Sequence, residues 1–167
     1  MTPLQLKPEQ METYRRDGFL VVDQVLRTEE VDAFVAYEQT RPREQDMELL
    51  THVTDATWRR LATHPGVAGV AAQLLDGTPC VVQAMYMPKK ASQNAAGTAL
   101  HQDSHYLPAE PNTLMACWIA MSDTGADNGG LCVVSGSHLQ GLRSTHSSSG
   151  DEHNNWHSEH LMRDHSG

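Results

Sequence analysis

Apolar residues recur mostly at helical spacing as far as Gly77, the run at residues 19–26 excepted, and in short continuous or alternating runs beyond it. Helix and strand faces need different side-chain periods, about 3.6 and about 2, so one stretch cannot satisfy both. The change of pattern therefore predicts an α+β order, helices first and short strands later. PEQMETYRRDG places Pro8 at a first turn and Gly18 at a left-handed stop, which predicts a short helix. FLVVDQVL, residues 19–26, has the length and branching of a strand. TEEVDAFVAYEQ predicts a helix over residues 29–39 capped from Thr28, whereas residues 40–55 are a polar mixture. TWRRLATHPGVAGVAAQLLDG then reads as two short helices separated by His64-Pro65-Gly66.

Beyond Gly77, residues 78–90 and 112–123 are expected strands, and GADNGGLCVVSGSH a turn leading into another. A small-residue loop, ASQNAAGTA, joins the first of these to LHQDSHYL. From His138 onward the chain is polar and holds six of its ten histidines, the pattern of a loop or lid. The expected organisation is a single, partial domain over 1–167. Residues 1–76 form its helical part, 77–142 its β core and 143–167 a polar loop or lid.

Twelve basic residues against twenty-one acidic ones give a formal charge of −9. Such a balance opposes a nucleic-acid or anionic-membrane surface and does not by itself identify a partner. No apolar run approaches the ~20 residues of a membrane span, and no signal peptide opens the chain. Cys80, Cys117 and Cys132 each sit in an apolar run, so they are expected as small buried side chains without a disulfide or zinc role. A cytoplasmic setting follows as the default. Hydrophobic residues make up only 39%, which predicts a thin core.

The chemistry centres on His101-Gln102-Asp103. On extended backbone, residues two apart share a face, so the imidazole and carboxylate converge while Gln102 points away. Completed by one more His, such a pair forms the facial triad of non-haem Fe(II) oxygenases, with three positions open to co-substrate and oxygen. As a bare tripeptide it reads first as a solvated loop in which the two groups merely hydrogen-bond.

The setting narrows the choice. YRRDGFLVVDQVLRTEEVDAF, VVQAMYMPKK followed by LHQDSHYLP, and ACWIAMSDTGADNGGLCVVSGSH occur in order over about residues 10–142. In that order the chain resembles the phytanoyl-CoA dioxygenase family of 2-oxoglutarate-dependent oxygenases. The resemblance implies a double-stranded β-helix (jelly-roll, cupin-like) core with N-terminal helices. It also implies Fe(2+), 2-oxoglutarate and O2 as cofactor and co-substrates, and hydroxylation of a small organic molecule coupled to succinate formation. His101 and Asp103 correspond to the first two iron ligands. Trp118 lies where the family has a co-substrate-contacting Trp, with core packing as its competing role. Gln83 lies near a second such contact, with Met85 as the competing residue on the same strand face and a solvent-facing strand position as the other reading.

The family also requires a distal His and, shortly after it, an Arg whose planar fork pairs with the far carboxylate of 2-oxoglutarate. His146, His153, His157, His160 and His165 sit in polar surroundings, and Arg163 precedes only His165. None is assigned, and a sequence truncated before its last strands is expected. Two further readings stay open: a non-catalytic fragment that binds metal weakly through two ligands, and a metal-dependent hydrolase using His101, Asp103 and His105. His105 is otherwise placed at the substrate entrance, and His138 in a locally hydrogen-bonded turn. Asp123, Asp127 and Asn128 read as turn chemistry rather than a calcium loop. Lys89 and Lys90 read as an exposed strand end rather than an anion site.

Overall fold

The computed structural model describes residues 4–42, 48–86, 100–125 and 128–143. They divide between two compact units. The first takes in Met1–Met11, Val21–Pro88 and Met115–Asp123; the second takes in Glu12–Leu20, Lys89–Leu114 and Thr124–Gly167. Among the described residues five α-helices run in order: α1 Pro8–Asp17, α2 Thr28–Thr40, α3 Thr51–Thr54, α4 Ala56–Ala62 and α5 Pro65–Leu75.

In the first unit, α2 brings Phe34 and Glu38, four residues apart, to one helical face, and both are buried. Phe34 meets Trp58 of α4 edge to face at 5.2 Å and Tyr86 at 6.0 Å. Glu38 lies beside this apolar cluster, 3% exposed. Its carboxylate stays there by accepting from Trp58 Nε1 at 2.6 Å and from Arg41 Nε at 2.7 Å. Arg41 also pairs with Glu48. Fully paired, the carboxylate avoids the cost of a lone buried charge.

Asp55 caps α4 by accepting from the backbone N–H groups of Thr57 and Trp58, at 2.8 and 3.0 Å, and it also receives the Tyr37 hydroxyl. Burial pushes the Asp55 carboxyl up, but the donated hydrogen bonds outweigh it and hold the group below its ordinary value. In α5, Pro65 opens the helix, His64 Nδ1 accepts from Gly66 N–H at 3.1 Å, and Asp76 closes it at φ 50°. Gln73 of α5 ties down the N-terminal segment, accepting from Leu6 N–H at 2.9 Å and donating to Leu4 O at 2.8 Å.

The helices expected from sequence are present, with three differences of detail. The cap of α2 is Arg27 rather than Thr28; its N–H donates to Glu30 Oε2 at 2.9 Å. The single turn α3 emerges from the polar mixture. FLVVDQVL forms no strand, because Asp23 and Gln24 make a turn with Gln24 at φ 57°. A left-handed residue in mid-run breaks the alternation on which that strand depends.

The strands expected after Gly77 are not assembled into a sheet among the described residues. One isolated parallel bridge, Leu50 with Ala84, is their β pairing, supported by Ala84 N–H donating to Leu49 O at 3.0 Å. Apolar, branched residues favour a strand only where a ladder partner takes up the backbone. The segments 112–123 and 131–134 carry that composition without a ladder. Cys80, Cys117 and Cys132, expected inside, are exposed for the same reason. Among the described residues, the buried side chains are Phe34, Glu38, Thr51, Trp58 and Ala71, all in the first unit. No helix among them is long and apolar enough to cross a membrane.

Candidate functional site

His101 and Asp103 lie in the second unit. Gln102 between them has φ −117° and ψ 120°, extended backbone that sends its neighbours to one side. The extension ends there. Asp103 opens a short 3-10 turn to His105, with Asp103 O accepting from Tyr106 N–H at 2.9 Å and Leu107 N–H at 3.0 Å. The expected strand is thus a single extended residue leading into a turn, yet the convergence survives. His101 Nε2 and Asp103 Oδ1 are 3.1 Å apart, with side chains 32% and 47% exposed. The His101 ring also meets Tyr106 edge to face at 6.2 Å.

This separation permits a simple test of fit. Two donors about 2.1 Å from one ion, at right angles to each other, lie about 3.0 Å apart. The observed 3.1 Å suits neighbouring positions around an octahedral divalent cation and equally a shared proton. An imidazole nitrogen with a hard carboxylate oxygen suits Fe(II), as it suits other first-row divalent cations. Among the described residues no group of three His, Cys, Asp or Glu side chains is assembled.

Gln102 faces away, and its amide is fully engaged. Nε2 donates to Gly141 O at 3.0 Å, and Oε1 accepts from Arg143 N–H at 2.9 Å. His105 Nε2 meets Arg143 O at 2.5 Å, so this nitrogen carries a proton to donate. With Nε2 so used, a metal would have to reach His105 through Nδ1. His138, expected to bond locally, instead donates from Nε2 to Arg15 O of α1 at 3.0 Å, across most of the chain. Asn128 behaves as a turn residue, its Oδ1 accepting from Gly125 N–H at 2.5 Å.

Gln83 and Trp118 belong to the first unit. Gln83 is half-buried, beside Ala84 of the bridge; Met85 is 38% exposed. Trp118 is 51% exposed, so the buried cluster of that unit forms without it. Lys89, Lys90, Asp127, His146, His153, His157, His160, Arg163 and His165 lie outside the described residues. The amide of Gln102 and the long-range bond of His138 escaped sequence reading, because neither partner backbone is nearby in sequence.

In chemical terms the site is a half-open nitrogen–oxygen donor pair held on a turn. The sequence profile of the phytanoyl-CoA dioxygenase (PhyH) family matches residues 14–166, and the chain belongs to that family. It is 30% identical over 105 residues to phytanoyl-CoA dioxygenase domain-containing protein 1 of Danio rerio, covering 60% of this chain and 36% of that protein. It is 34% identical over 92 residues to the Mus musculus protein of the same name, covering 54% and 31%. A shorter match, 37% over 57 residues, joins it to the peroxisomal phytanoyl-CoA dioxygenase of Homo sapiens, covering 34% of this chain and 17% of that one. The chain spans about a third of the length of the first two relatives. No solved structure gives a significant match.

Proposed function

We propose that the protein is a non-haem Fe(II), 2-oxoglutarate-dependent dioxygenase that hydroxylates a small organic molecule and converts 2-oxoglutarate to succinate. The observation that carries this reading is the 3.1 Å approach of His101 Nε2 to Asp103 Oδ1, inside the stretch matched by the family profile. His101 and Asp103 hold the metal, and Gln83 and Trp118 contact 2-oxoglutarate. A double-stranded β-helix core surrounds them in the whole protein. A bound Fe(II) would supply the activation of O2 toward a substrate C–H bond. His101 would offer it a ring nitrogen and Asp103 a carboxylate oxygen. The formal charge of −9 speaks against nucleic acid or an anionic membrane as the partner.

The test is succinate formation with Fe(II) and 2-oxoglutarate. His101→Ala and Asp103→Ala should each abolish it, a loss of at least ~100-fold given the role of ligands in such sites. Undiminished succinate release by either variant would defeat the assignment. Metal uptake that depends on His101, with no turnover, would leave a two-ligand metal binder. Tight zinc with hydrolytic activity would point to the hydrolase.

A further inference from the structure

We infer that residues Gly136–Arg143 form a strut from the C-terminus of α1 to the back of the donor pair, with Gln102 as its positioning residue. The inference rests on the metal-site reading above and adds how that site is held. At the near end, the Gln102 amide lies between two backbone groups of the strut, donating to Gly141 O at 3.0 Å and accepting from Arg143 N–H at 2.9 Å. Flipping the amide would set N–H against N–H and oxygen against oxygen, so one orientation is fixed. The Gln102 side chain thus replaces the peptide group that an adjoining strand would offer. His105 grips the same residue from its other side, through Arg143 O. Both polar groups of the Arg143 backbone therefore bind to the motif, at positions flanking Asp103.

At the far end, Gly136 N–H donates to Asp17 O at 2.9 Å and His138 Nε2 donates to Arg15 O at 3.0 Å. These are carbonyls at the end of α1, which lack helical partners of their own. The approach depends on Gly18, at φ 80°, since a Cβ there would lie 2.3 Å from His138 Nδ1. Between the two ends, Ser137–Gln140 is one short 3-10 turn, with Leu139 N–H donating to Gly136 O at 3.1 Å. A short, hydrogen-bonded segment with both ends pinned transmits position. The imidazole and carboxylate are half-exposed and rest on no buried core, so their mutual placement depends on what holds Gln102 behind them.

The experiment compares the protein with Gln102→Met, which keeps side-chain length and loses both hydrogen bonds, and with His138→Ala, which releases the far end. Two readouts are taken. In metal-free protein, the nuclear Overhauser contact between the His101 ring and the Asp103 Cβ protons reports the donor pair. Co(II) titration by visible absorbance then reports its use, with circular dichroism confirming the helices. Partners that orient a ligand change metal affinity by roughly 10–100-fold. Gln102→Met should lose the contact and weaken Co(II) binding by about tenfold, and His138→Ala should act in the same direction, more weakly. A folded Gln102→Met protein with the contact and the Co(II) curve both unchanged overturns the strut. Should His101→Ala take up Co(II) as the parent does, the metal-site reading fails, while the Overhauser contact still decides whether Gln102 positions the pair.

Discussion

The two units are held together by different chemistry. The first has a true interior, in which α2 and α4 bury Phe34, Glu38 and Trp58 around a carboxylate satisfied by an indole and a guanidinium. The second has no buried residue among those described, and long polar side chains reaching backbone groups link its distant parts: Gln102 to residues 141 and 143, His105 to 143, His138 to 15. The packed core thus lies in the first unit and the candidate donor pair in the second. Burial of apolar area resists opening in bulk, whereas isolated hydrogen bonds contribute about 1 kcal/mol each and open one at a time. The candidate metal donors His101 and Asp103 lie in the second kind of region, whereas Gln83 and Trp118, the proposed co-substrate contacts, belong to the first unit.

The contrast can be broken at its strongest point first. Glu38→Ala removes the acceptor from a 3%-exposed site and leaves Arg41 and the Trp58 indole without their shared partner. Loss of one member of a buried pair costs about 3 kcal/mol or more, although Glu48 retains part of the guanidinium. Urea unfolding followed by far-ultraviolet circular dichroism should show the lower midpoint. A midpoint within error of the parent would mean that the first unit does not depend on its buried carboxylate.

Gly18→Ala strikes the second unit. Both the positive φ and the His138 ring oppose a Cβ, at a cost of roughly 1–3 kcal/mol. Amide exchange at Gly136 should accelerate while the Trp58 indole proton stays protected. Equal acceleration of both would show that the two regions open together, against the comparison.

The smallest effect concerns Glu30 at the start of α2. Hydrogen bonds from the Arg27 side chain and backbone hold its carboxyl down to about 2, against an ordinary 4.5. A depressed carboxyl stabilises the folded state above its unfolded value, and that contribution fades as pH falls from about 4.5 through about 2. Solvent around this exposed pair keeps the effect small. Glu30→Gln should flatten the corresponding loss of helicity in an acid titration; an unchanged profile would remove the Arg27–Glu30 bond from the account of the first unit.

Several elements could be read directly from the sequence. Pro8 and Gly18 bracket α1, and His64-Pro65-Gly66 separates α4 from α5, because proline and glycine act through their own backbone and the His64 side chain reaches only two residues along the chain. The His-x-Asp pair was legible for the same reason, since one extended residue is enough to bring two side chains to one face. The strands were not. FLVVDQVL has the composition of a strand and contains a turn at Asp23 and Gln24, and the apolar runs beyond Gly77 find a single bridge among the described residues. Composition records a preference for extended backbone but names no partner for it. Nor did the pattern show that Cys80, Cys117 and Cys132 would be exposed, because burial depends on what packs against them.

By itself, the sequence determined the helices α1, α2, α4 and α5 and the presence of an imidazole and a carboxylate two residues apart. Both are set by neighbours in the chain, through caps, proline, glycine and the side-chain period. Only the tertiary structure decided that Glu38 would be the buried acceptor for Trp58 and that Gln102 would hold the backbone of residues 141 and 143. Those choices pair groups twenty to forty-one residues apart. The free energy of closing such loops and burying such groups belongs to the folded molecule and to no local stretch of it.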